Sequence, residues 1–413
     1  MHIILFEDSL VPRLFPATIG KTAFELNVGS FRLLDLLREL NGTIEVVMRP
    51  YLAGRANADY PFLWSSAQGE RSGPILVLNA RAVPHVVLLE QLREIIARGE
   101  DGIALTDGHI ACALLCRQPP IPDTAVGAAQ LLGILHDANL PSLPIAVPLL
   151  EYAHDLVRYQ VKTMNDNLNH RLKRGNYREV ADGVFSADAR QPGAYCIFDG
   201  GAGPIVIEEG VDIGPYCFFK GPIHIGAGAK IIEHSAIKDA VTLGATTKVG
   251  GEVEASVIEP YSNKQHHGFL GHSYLGSWVN LGAGTCNSDL KNTYGEVVMD
   301  YAGRKVKTGM QFVGCFVGDY AKTAINTSIF TGKTIGACSM VYGFVTTNVP
   351  SFVNYARSFG QVTESAVEVL IQTQARMFAR RNVEQRPCDI ALLHEIYRMT
   401  EHERRLANEP LSL

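Results

Sequence analysis

Hydrophobic residues recur at every sixth position in the second half of the chain, a period that neither a helix nor an ordinary strand has. The pattern is typical of a hexapeptide-repeat β-solenoid, in which three hexads make one triangular coil of 18 residues. Residues 18 positions apart, such as Ile207, Ile225 and Leu243, should therefore stack in one column. The series comprises Ile207, Ile213, Phe219, Ile225, Ile231, Ile237, Leu243 and Val249.

The six-residue register lapses near 252–270 and again near 286–312, and it returns from Val317 to Val341. We expect insertions at these two places that extend toward a neighbouring chain or a substrate. Short strands that each bury one side chain need coils above and below them, and an exposed flat face invites pairing with another chain. The pattern therefore predicts an oligomer.

Four regions follow from the patterning. Residues 1–150 alternate short apolar runs with helical patterns, which predicts an α/β domain with a largely parallel sheet. Residues 151–199 form a linker arm that begins as a polar helix, and residues 200–360 form the solenoid. Residues 361–413 form a helical tail whose arginines, opposite an apolar face, are typical of a solvated face or a cap.

Composition adds bounds to this picture. The chain has 413 residues, 46% of them hydrophobic and 19% charged, as in a folded protein of two or three domains. No signal peptide or run of about 18 apolar residues is evident, which predicts a cytoplasmic protein without a membrane partner. A net charge of −5 gives no reason to expect a nucleic-acid partner, and the eight scattered cysteines favour reduced thiols.

Candidate chemistry is densest in residues 261–292, YSNKQHHGFLGHSYLGSWVNLGAGTCNSDLKN. Three histidines, two lysines and several asparagines lie there on a repeat scaffold that does not require them. Two motifs of this segment, KQHHGFLGHSYLG at 264–276 and VNLGAGT followed by CNSDLKN at 279–292, resemble the acetyltransferase domain of GlmU. More narrowly, most of the chain resembles a GlmU-like subgroup of sugar nucleotidyltransferases, including MHIILFED at the start and GDYAKTAINTSIFTG at 318–332.

The resemblance implies a nucleotidyltransferase-like α/β domain followed by a left-handed parallel β-helix that forms a homotrimer, with acetyl-CoA at the subunit boundary. Alignment on Asn280 without a gap places His266 on the family's general base, a role that suits an imidazole near neutral pH. The resemblance also implies that Asn280 binds sugar, that Lys291 binds phosphate and that Asn287 lies near the CoA site. Lys291 is equally compatible with a surface lysine. The implied reaction is acyl transfer from acyl-CoA to an amino sugar phosphate or sugar nucleotide.

The segment departs from the family pattern at two places that concern the sugar phosphate. Phe269 stands where the family has a tyrosine, and VEAS at 253–256 stands where it has a basic residue. Lys264 and Lys248 are candidates to replace the missing phosphate contact, because an ammonium needs only approximate placement.

The N-terminal stretch FEDSLVPRLFPATIGK keeps Arg13 and Lys21 as candidate nucleotide-binding residues, but it lacks the glycine-rich loop that lets backbone amides approach a triphosphate. Glu7 and Asp8 would repel a triphosphate unless a metal such as Mg²⁺ bridges them. Nucleotidyl transfer to a sugar 1-phosphate is the companion activity that the resemblance implies, and a degenerate site is the equal alternative.

Two other functions remain open at this point. A γ-class carbonic anhydrase also uses a hexapeptide solenoid, and His234, His267 and His272 are candidates for its zinc ligands. A non-catalytic sugar-nucleotide sensor or scaffold is favoured by the missing glycine-rich loop and disfavoured by the crowded polar segment.

Overall fold

The computed structural model describes residues 1–63, 71, 73–117, 121–122, 127–188 and 193–407. These residues form two compact units. Unit 1 comprises Met1–Leu14, Lys21–Asn27 and Phe31–Tyr152, and unit 2 comprises Phe15–Gly20, Val28–Ser30 and Ala153–Leu413. Within the described part of the chain, no helix combines the length and apolar character needed to cross a bilayer.

Unit 1 contains a five-stranded sheet with strand order β2-β1-β3-β5-β4. The short apolar runs of this region form strands, and the segments with a helical period form helices, as their periodicities predict. The strands are β1 (His2–Phe6), β2 (Thr43–Val47), β3 (Ile75–Asn79), β4 (Gly102–Thr106) and β5 (His109–Leu115). The α-helices are α1 (Leu33–Arg38), α2 (Ala53–Asp59), α3 (Val86–Arg98) and α4 (Ala128–Asp137).

The sheet is half parallel rather than largely parallel. Strand β1 pairs in parallel with β2 and β3, whereas β5 is antiparallel to both β3 and β4. Asp107 and Gly108, with φ of 50° and 78°, form the tight turn between β4 and β5. Asp-Gly with two positive φ angles is the favoured two-residue hairpin turn, so this dipeptide fixes the antiparallel edge.

The long segment of unit 2, which starts at Ala153, begins with helix α5 (Asp155–Arg174), which matches the polar helix predicted from residue 151. Its apolar side packs on the solenoid, where Met164 and Leu168 contact Val206 and Ala240. The buried Gln160 side chain donates from Nε2 to Thr242 Oγ1 at 2.8 Å. The helix therefore covers one outer face of the solenoid.

The solenoid has three faces of parallel strands. Faces 1 and 2 each carry one additional antiparallel strand at an end. Face 1 consists of Val184–Ser186, Ile205–Ile207, Ile223–Ile225, Val241–Leu243, Val257–Ile258, Tyr274–Leu275, Cys315–Val317 and Lys333–Ile335, with the antiparallel strand Arg178–Ala181 at its end. Face 2 consists of Asp212–Ile213, Lys230–Ile231, Lys248–Val249, Asn263–Lys264, Lys322–Thr323, Met340–Val341 and Val353–Ala356, with the antiparallel strand Gln361–Glu364. Face 3 consists of Ile197–Asp199, Phe218–Lys220, Ala236–Lys238, Glu252–Glu254, Phe269–Gly271, Cys286–Asn287, Ser328–Ile329 and Phe344–Val345.

The predicted columns form. Ile225 pairs with Ile207 on one side and with Leu243 on the other, and Ile231 pairs in the same way with Ile213 and Val249. Five of these side chains belong to one continuous buried core, and Ile213 is partly buried against it. The architecture predicted from the sequence, an α/β domain followed by a parallel β-helix with a helical tail, is confirmed.

The two lapses of register have different origins. At the first, the coils are shorter than 18 residues: Val249 pairs across 15 residues with Lys264, and Ile237 pairs across 16 with Val253. The expectation of an insertion near 252–270 is therefore wrong, because the chain is shortened there. At the second, residues 288–314 leave the coil after Cys286–Asn287 and contain the hairpin Val298–Tyr301 and Arg304–Lys307.

The C-terminal tail is helical and packs on the solenoid. The Phe378 ring lies near the end of α6 (Val367–Ala379), and its centroid is 4.5 Å from that of the Trp278 ring. Trp278 in turn stacks on Tyr261 at 4.4 Å, so the helix covers an aromatic corner next to face 2. The helices are α6 (Val367–Ala379), α7 (Pro387–Met399) and α8 (Glu401–Ala407), and the last part of the predicted tail, 408–413, lies outside the described residues.

We predict that Ile231→Ala lowers the free energy of unfolding by about 2–5 kcal/mol, because it leaves a cavity inside a close-packed column. Ile231 is buried, whereas Lys230 on the same strand faces outward. Denaturant titration of the full chain measures the change, with Lys230→Ala as the matched control that leaves stability nearly unchanged. Equal losses in the two variants would contradict the inward and outward assignment of this strand.

Candidate active site

Two exposed histidines lie at one corner of the solenoid. Residues 265–268, the histidine loop, connect the face 2 strand Asn263–Lys264 to the face 3 strand Phe269–Gly271, and His266 and His267 are both exposed there. The same corner has four residues, 232–235, two coils earlier, but only Gly250 and Gly251 in the adjacent coil. The histidine loop therefore lies next to the place where the solenoid is shortened.

Lys264 holds this shortened corner together. Its side chain points inward in the column of Val249 and is only 2% exposed. The ammonium donates to three backbone carbonyls, those of Gly250 at 2.6 Å, His266 at 2.9 Å and Gly268 at 2.8 Å. Because two of these carbonyls flank His267, the lysine fixes the backbone of the histidine loop from below.

This placement corrects the phosphate-binding role that the sequence suggested for Lys264. The ammonium already satisfies three carbonyls inside the coil, and a phosphate would have to displace them. Burial lowers the pKa of Lys264 to about 8, and Cys286 and Glu252 act in the opposite direction. The residue is therefore a buried cation with a structural task.

The LGAGT motif forms the next corner, directly beside the histidine loop. Gly284 has a φ of 74° and donates its amide to the His267 carbonyl at 3.1 Å. A Cβ atom at Gly284 would lie 3.4 Å from His267 Nε2 and 2.2 Å from the Asn326 side chain. Glycine is thus needed here for close approach, and the motif shapes the surroundings of the histidines.

Asn280 lies on the outer surface of face 2, where its side chain is exposed. Asn263 Nδ2 donates to Asn280 Oδ1 at 3.4 Å, and Arg381 Nη2 donates to Asn263 Oδ1 at 2.8 Å. The structure therefore brings Asn280, Asn263 and the histidine loop to one region. Arg381 and Asn263 are members of this region that the sequence reasoning did not single out, since it assigned the tail arginines to a solvated face or a cap.

Two other predicted residues lie elsewhere. Asn287 is buried and points into the coil, where its side chain accepts from the Gly271 amide at 2.9 Å and donates to the Gly271 carbonyl at 3.0 Å. Its side chain thus takes the place of a backbone pairing with Gly271, and this buried position does not favour a CoA contact. Lys291 lies in the insertion and donates from Nζ to the Glu296 carbonyl at 3.0 Å, so the expected phosphate contact remains a prediction.

The histidines considered for zinc have separate partners within one chain. His272 Nδ1 lies 2.8 Å from Asp289 Oδ2, and the His234 ring stacks on Tyr216 at 5.3 Å. In the described part of the chain, no three His, Cys, Asp or Glu side chains form a group that could hold a metal ion. The structure gives no support to a zinc site within a single chain.

In unit 1, both acidic residues that follow β1 are paired with arginines. Glu7 is buried and accepts from Arg49 Nε at 2.9 Å, and Asp8 accepts from Arg81 Nη2 at 2.6 Å. Burial raises the pKa of Asp8, but the hydrogen bonds of Arg81 and Asn79 outweigh it and lower the pKa overall. These carboxylates are therefore neutralised internally, and they do not fit the ligand set of a magnesium ion.

The two predicted nucleotide-binding residues differ in accessibility. Arg13 is partly exposed, forms an ion pair with Glu151 at 2.9 Å and lies 5.3 Å over the Tyr152 ring. Lys21 is buried, and its carbonyl accepts from Arg49 Nη2 at 2.8 Å. Arg13 is therefore the more accessible of the two, and the nucleotide-binding role of both residues remains a prediction.

Comparison with known proteins finds a family match in the N-terminal part of the chain and similarity to bifunctional relatives. Residues 3–174 match a family described as sugar nucleotidyl transferase. A bifunctional sugar-1-phosphate nucleotidylyltransferase/acetyltransferase of Sulfurisphaera tokodaii is 32% identical over 142 residues, which are 34% of this chain and 35% of that protein. The bifunctional protein GlmU of Ralstonia pickettii is 25% identical over 253 residues, 52% of this chain and 51% of that protein.

These matches span about a third and about half of the relatives' lengths. Among solved structures, a UDP-N-acetylglucosamine acyltransferase of Francisella novicida has a TM-score of 0.36 and 16% identity, covering 57% of this chain and 79% of that chain. This likeness is too weak to relate the activity of that enzyme to the present chain.

We predict that the buried Lys264 makes stability depend on alkaline pH. Its native pKa of about 8 lies below the unfolded value of ~10.4. Between these two values the unfolded chain binds a proton that the native state has released. The free energy of unfolding should therefore rise with pH across this window, by up to about 1 kcal/mol per pH unit. Denaturant titrations from pH 7 to about 10.5 measure the slope, which Lys264→Met should reduce.

Lys291→Met is the matched control, because the Lys291 ammonium bonds one carbonyl in the insertion. It should keep the alkaline rise in stability. A rise of undiminished slope in Lys264→Met would show that other groups cause it and that Lys264 is not a buried cation.

Proposed function

Because this chain is GlmU-like, with a sugar nucleotidyl transferase family match ahead of a parallel β-helix, we propose that it transfers an acyl group from acyl-CoA to an amino sugar phosphate or sugar nucleotide. The observation that carries the proposal is the exposed His266 on a loop whose backbone is fixed by Lys264. A solenoid needs no polar loop of this kind for its own stability.

In the proposed reaction His266 acts as general base. The amino group of the sugar attacks the thioester carbonyl of acetyl-CoA, and the imidazole accepts the proton that the nitrogen loses. The carbon–sulfur bond then breaks, and CoA leaves as a thiol after taking up a proton. Asn280, exposed on the adjacent outer surface of face 2, supplies amide hydrogen bonds to the sugar.

The surroundings of His266 support a site at a boundary between copies of the chain. The same corner, in coils on either side, exposes Tyr216 at 55%, Ile325 at 69% and Tyr342 at 38%. The three side chains lie two or three coils from the histidine loop along the same corner, and they are apolar surface that a second copy would cover. We therefore propose a homotrimer in which this corner faces a neighbour, so that acetyl-CoA is held between two chains.

For unit 1 we propose nucleotidyl transfer to a sugar 1-phosphate, supported by the family match over residues 3–174. Arg13 is the accessible phosphate contact, and Lys21 is a second contact once it moves outward. Magnesium would enter as part of the metal–nucleotide substrate, since Glu7 and Asp8 are occupied by arginines. The same two ion pairs favour a second candidate, a domain that binds nucleotide without turnover.

We predict that His266→Ala lowers the rate of CoA release from acetyl-CoA and an amino sugar phosphate by about 10²–10⁴-fold, the range typical of losing a general base. The assay follows the free thiol with the purified full-length protein. His267→Ala is the matched control, because His267 is the exposed neighbour on the same loop, and it should retain most of the rate.

Acetyl-CoA binding by His266→Ala should be unchanged, which separates a chemical role from a loss of structure. Equal rates for His266→Ala and the unaltered protein would overturn the assignment of the base. Acetyl-CoA binding with no thiol release from any amino sugar would favour the scaffold instead.

We predict that UTP or dTTP with magnesium raises the melting temperature of the protein, because a ligand that binds only the native state stabilises it by mass action. Arg13→Gln should weaken this shift by removing the accessible charge. Arg117 is an exposed arginine of the same unit, and Arg117→Gln should leave the shift unchanged. Pyrophosphate release with a sugar 1-phosphate distinguishes transfer from binding alone. A shift of equal size in Arg13→Gln would exclude this residue from the nucleotide site.

A further inference from the structure

The outer surface of face 2 carries a vertical row of polar side chains beside the histidine loop. Lys230 pairs with Lys248, Lys248 with Asn263, and Asn263 with Asn280, so these four residues occupy successive rungs. Side chains alternate along a strand, and the inward positions are taken by Ile231, Val249 and Lys264, which are buried. Since adjacent strands are about 4.8 Å apart, Lys248 and Asn280 are separated by about 10 Å.

The C-terminal tail adds arginines to this row. Helix α6 ends with Phe378 buried against Trp278, at the corner beside Asn280. Arg381 follows three residues later, and its Nη2 donates to Asn263 Oδ1 at 2.8 Å. The arginine is therefore held over the row by a packed aromatic anchor and a hydrogen bond, and it is not a loosely solvated side chain.

Positive charge is concentrated at this place. Burial lowers the pKa of Lys248, and Arg381, Lys230 and Arg380 lower it further. Burial and then Arg380 likewise lower the pKa of Arg381. The charge of Lys230, at the far end of the row, is compensated by an ion pair with Asp212 at 2.8 Å. The like charges around Lys248 and Arg381 repel one another, and an anion bound between them would relieve that repulsion.

We propose that Lys248, Arg381 and Asn263 form a binding site for a phosphate group, beside Asn280 and one corner away from His266. A guanidinium presents a planar fork of donors to phosphate oxygens, an ammonium adds a charge that needs only approximate placement, and the amide adds a further donor. Nothing in the family resemblance supplies these residues in this combination, because Arg381 comes from the tail.

This site would replace the basic residue that is missing from VEAS at 253–256. Asn263 and His266 are three residues apart, which spans at most about 10 Å of chain. A phosphate held at Asn263 therefore lies within reach of the reaction proposed at His266. The phosphate has two possible sources, an amino sugar phosphate acceptor and the pyrophosphate of acyl-CoA, and the chemistry of recognition is the same for both.

Isothermal titration of the full-length protein with pyrophosphate, glucosamine 1-phosphate and acetyl-CoA tests the site. The double variant Lys248→Met/Arg381→Met should lose at least about tenfold in affinity for pyrophosphate, the loss expected for charge-assisted hydrogen bonds. Arg376→Met is the matched control: Arg376 is exposed on α6, carries the same charge and should leave every affinity unchanged. In phosphate-free buffer the double variant should melt no earlier than the unaltered protein, because the repulsion is removed.

The two organic ligands identify the source of the phosphate. A loss confined to glucosamine 1-phosphate identifies the acceptor, and a loss confined to acetyl-CoA identifies the donor. The proposal is wrong if the double variant and the unaltered protein bind all three probes equally, or if none of the probes binds the unaltered protein. The inference rests on the proposed function only for the identity of the ligand: weakened binding without any thiol release would leave the site standing and overturn the reaction.

Discussion

The solenoid depends on in-register stacking of single inward side chains, one for each strand. Ile207, Ile225 and Leu243 show the rule, because each fills the space between the coils above and below. At the shortened corner three backbone carbonyls face the core, where an aliphatic side chain would leave them without a hydrogen-bond donor. Lys264 resolves the conflict by placing an ammonium in an aliphatic column and donating to three carbonyls.

The departure from regular repeats coincides with the proposed chemistry. The shortened corner at Gly250 and Gly251, the Lys264 ammonium and the exposed His266 lie within two adjacent coils. Local exceptions to a repeat are often found where function requires a particular geometry. Here the exception fixes the backbone on either side of His267, so the loop can present its histidines without relying on contacts from its own side chains.

Periodicity predicted the solenoid well because its core is local: the inward residues are separated by a constant number of positions. It did not predict that Lys264 points inward, because the six-residue count fails once a coil is shortened, and the pairing of Lys264 with Val249 is known only from the structure. The Asp107–Gly108 turn, in contrast, was a readable signal for the antiparallel edge of unit 1. The contact between Arg381 and Asn263 joins residues 118 positions apart, and no local pattern could predict it.

We propose that acyl transfer occurs at the corner that carries His266. A crystal structure of the whole chain with CoA and an amino sugar phosphate would locate both ligands. We expect the CoA sulfur and the sugar nitrogen within about 4 Å of each other beside the His266 ring, the separation needed for reaction, at a boundary between two copies of the chain. CoA bound at another corner, or His266 buried away from both ligands, would contradict it.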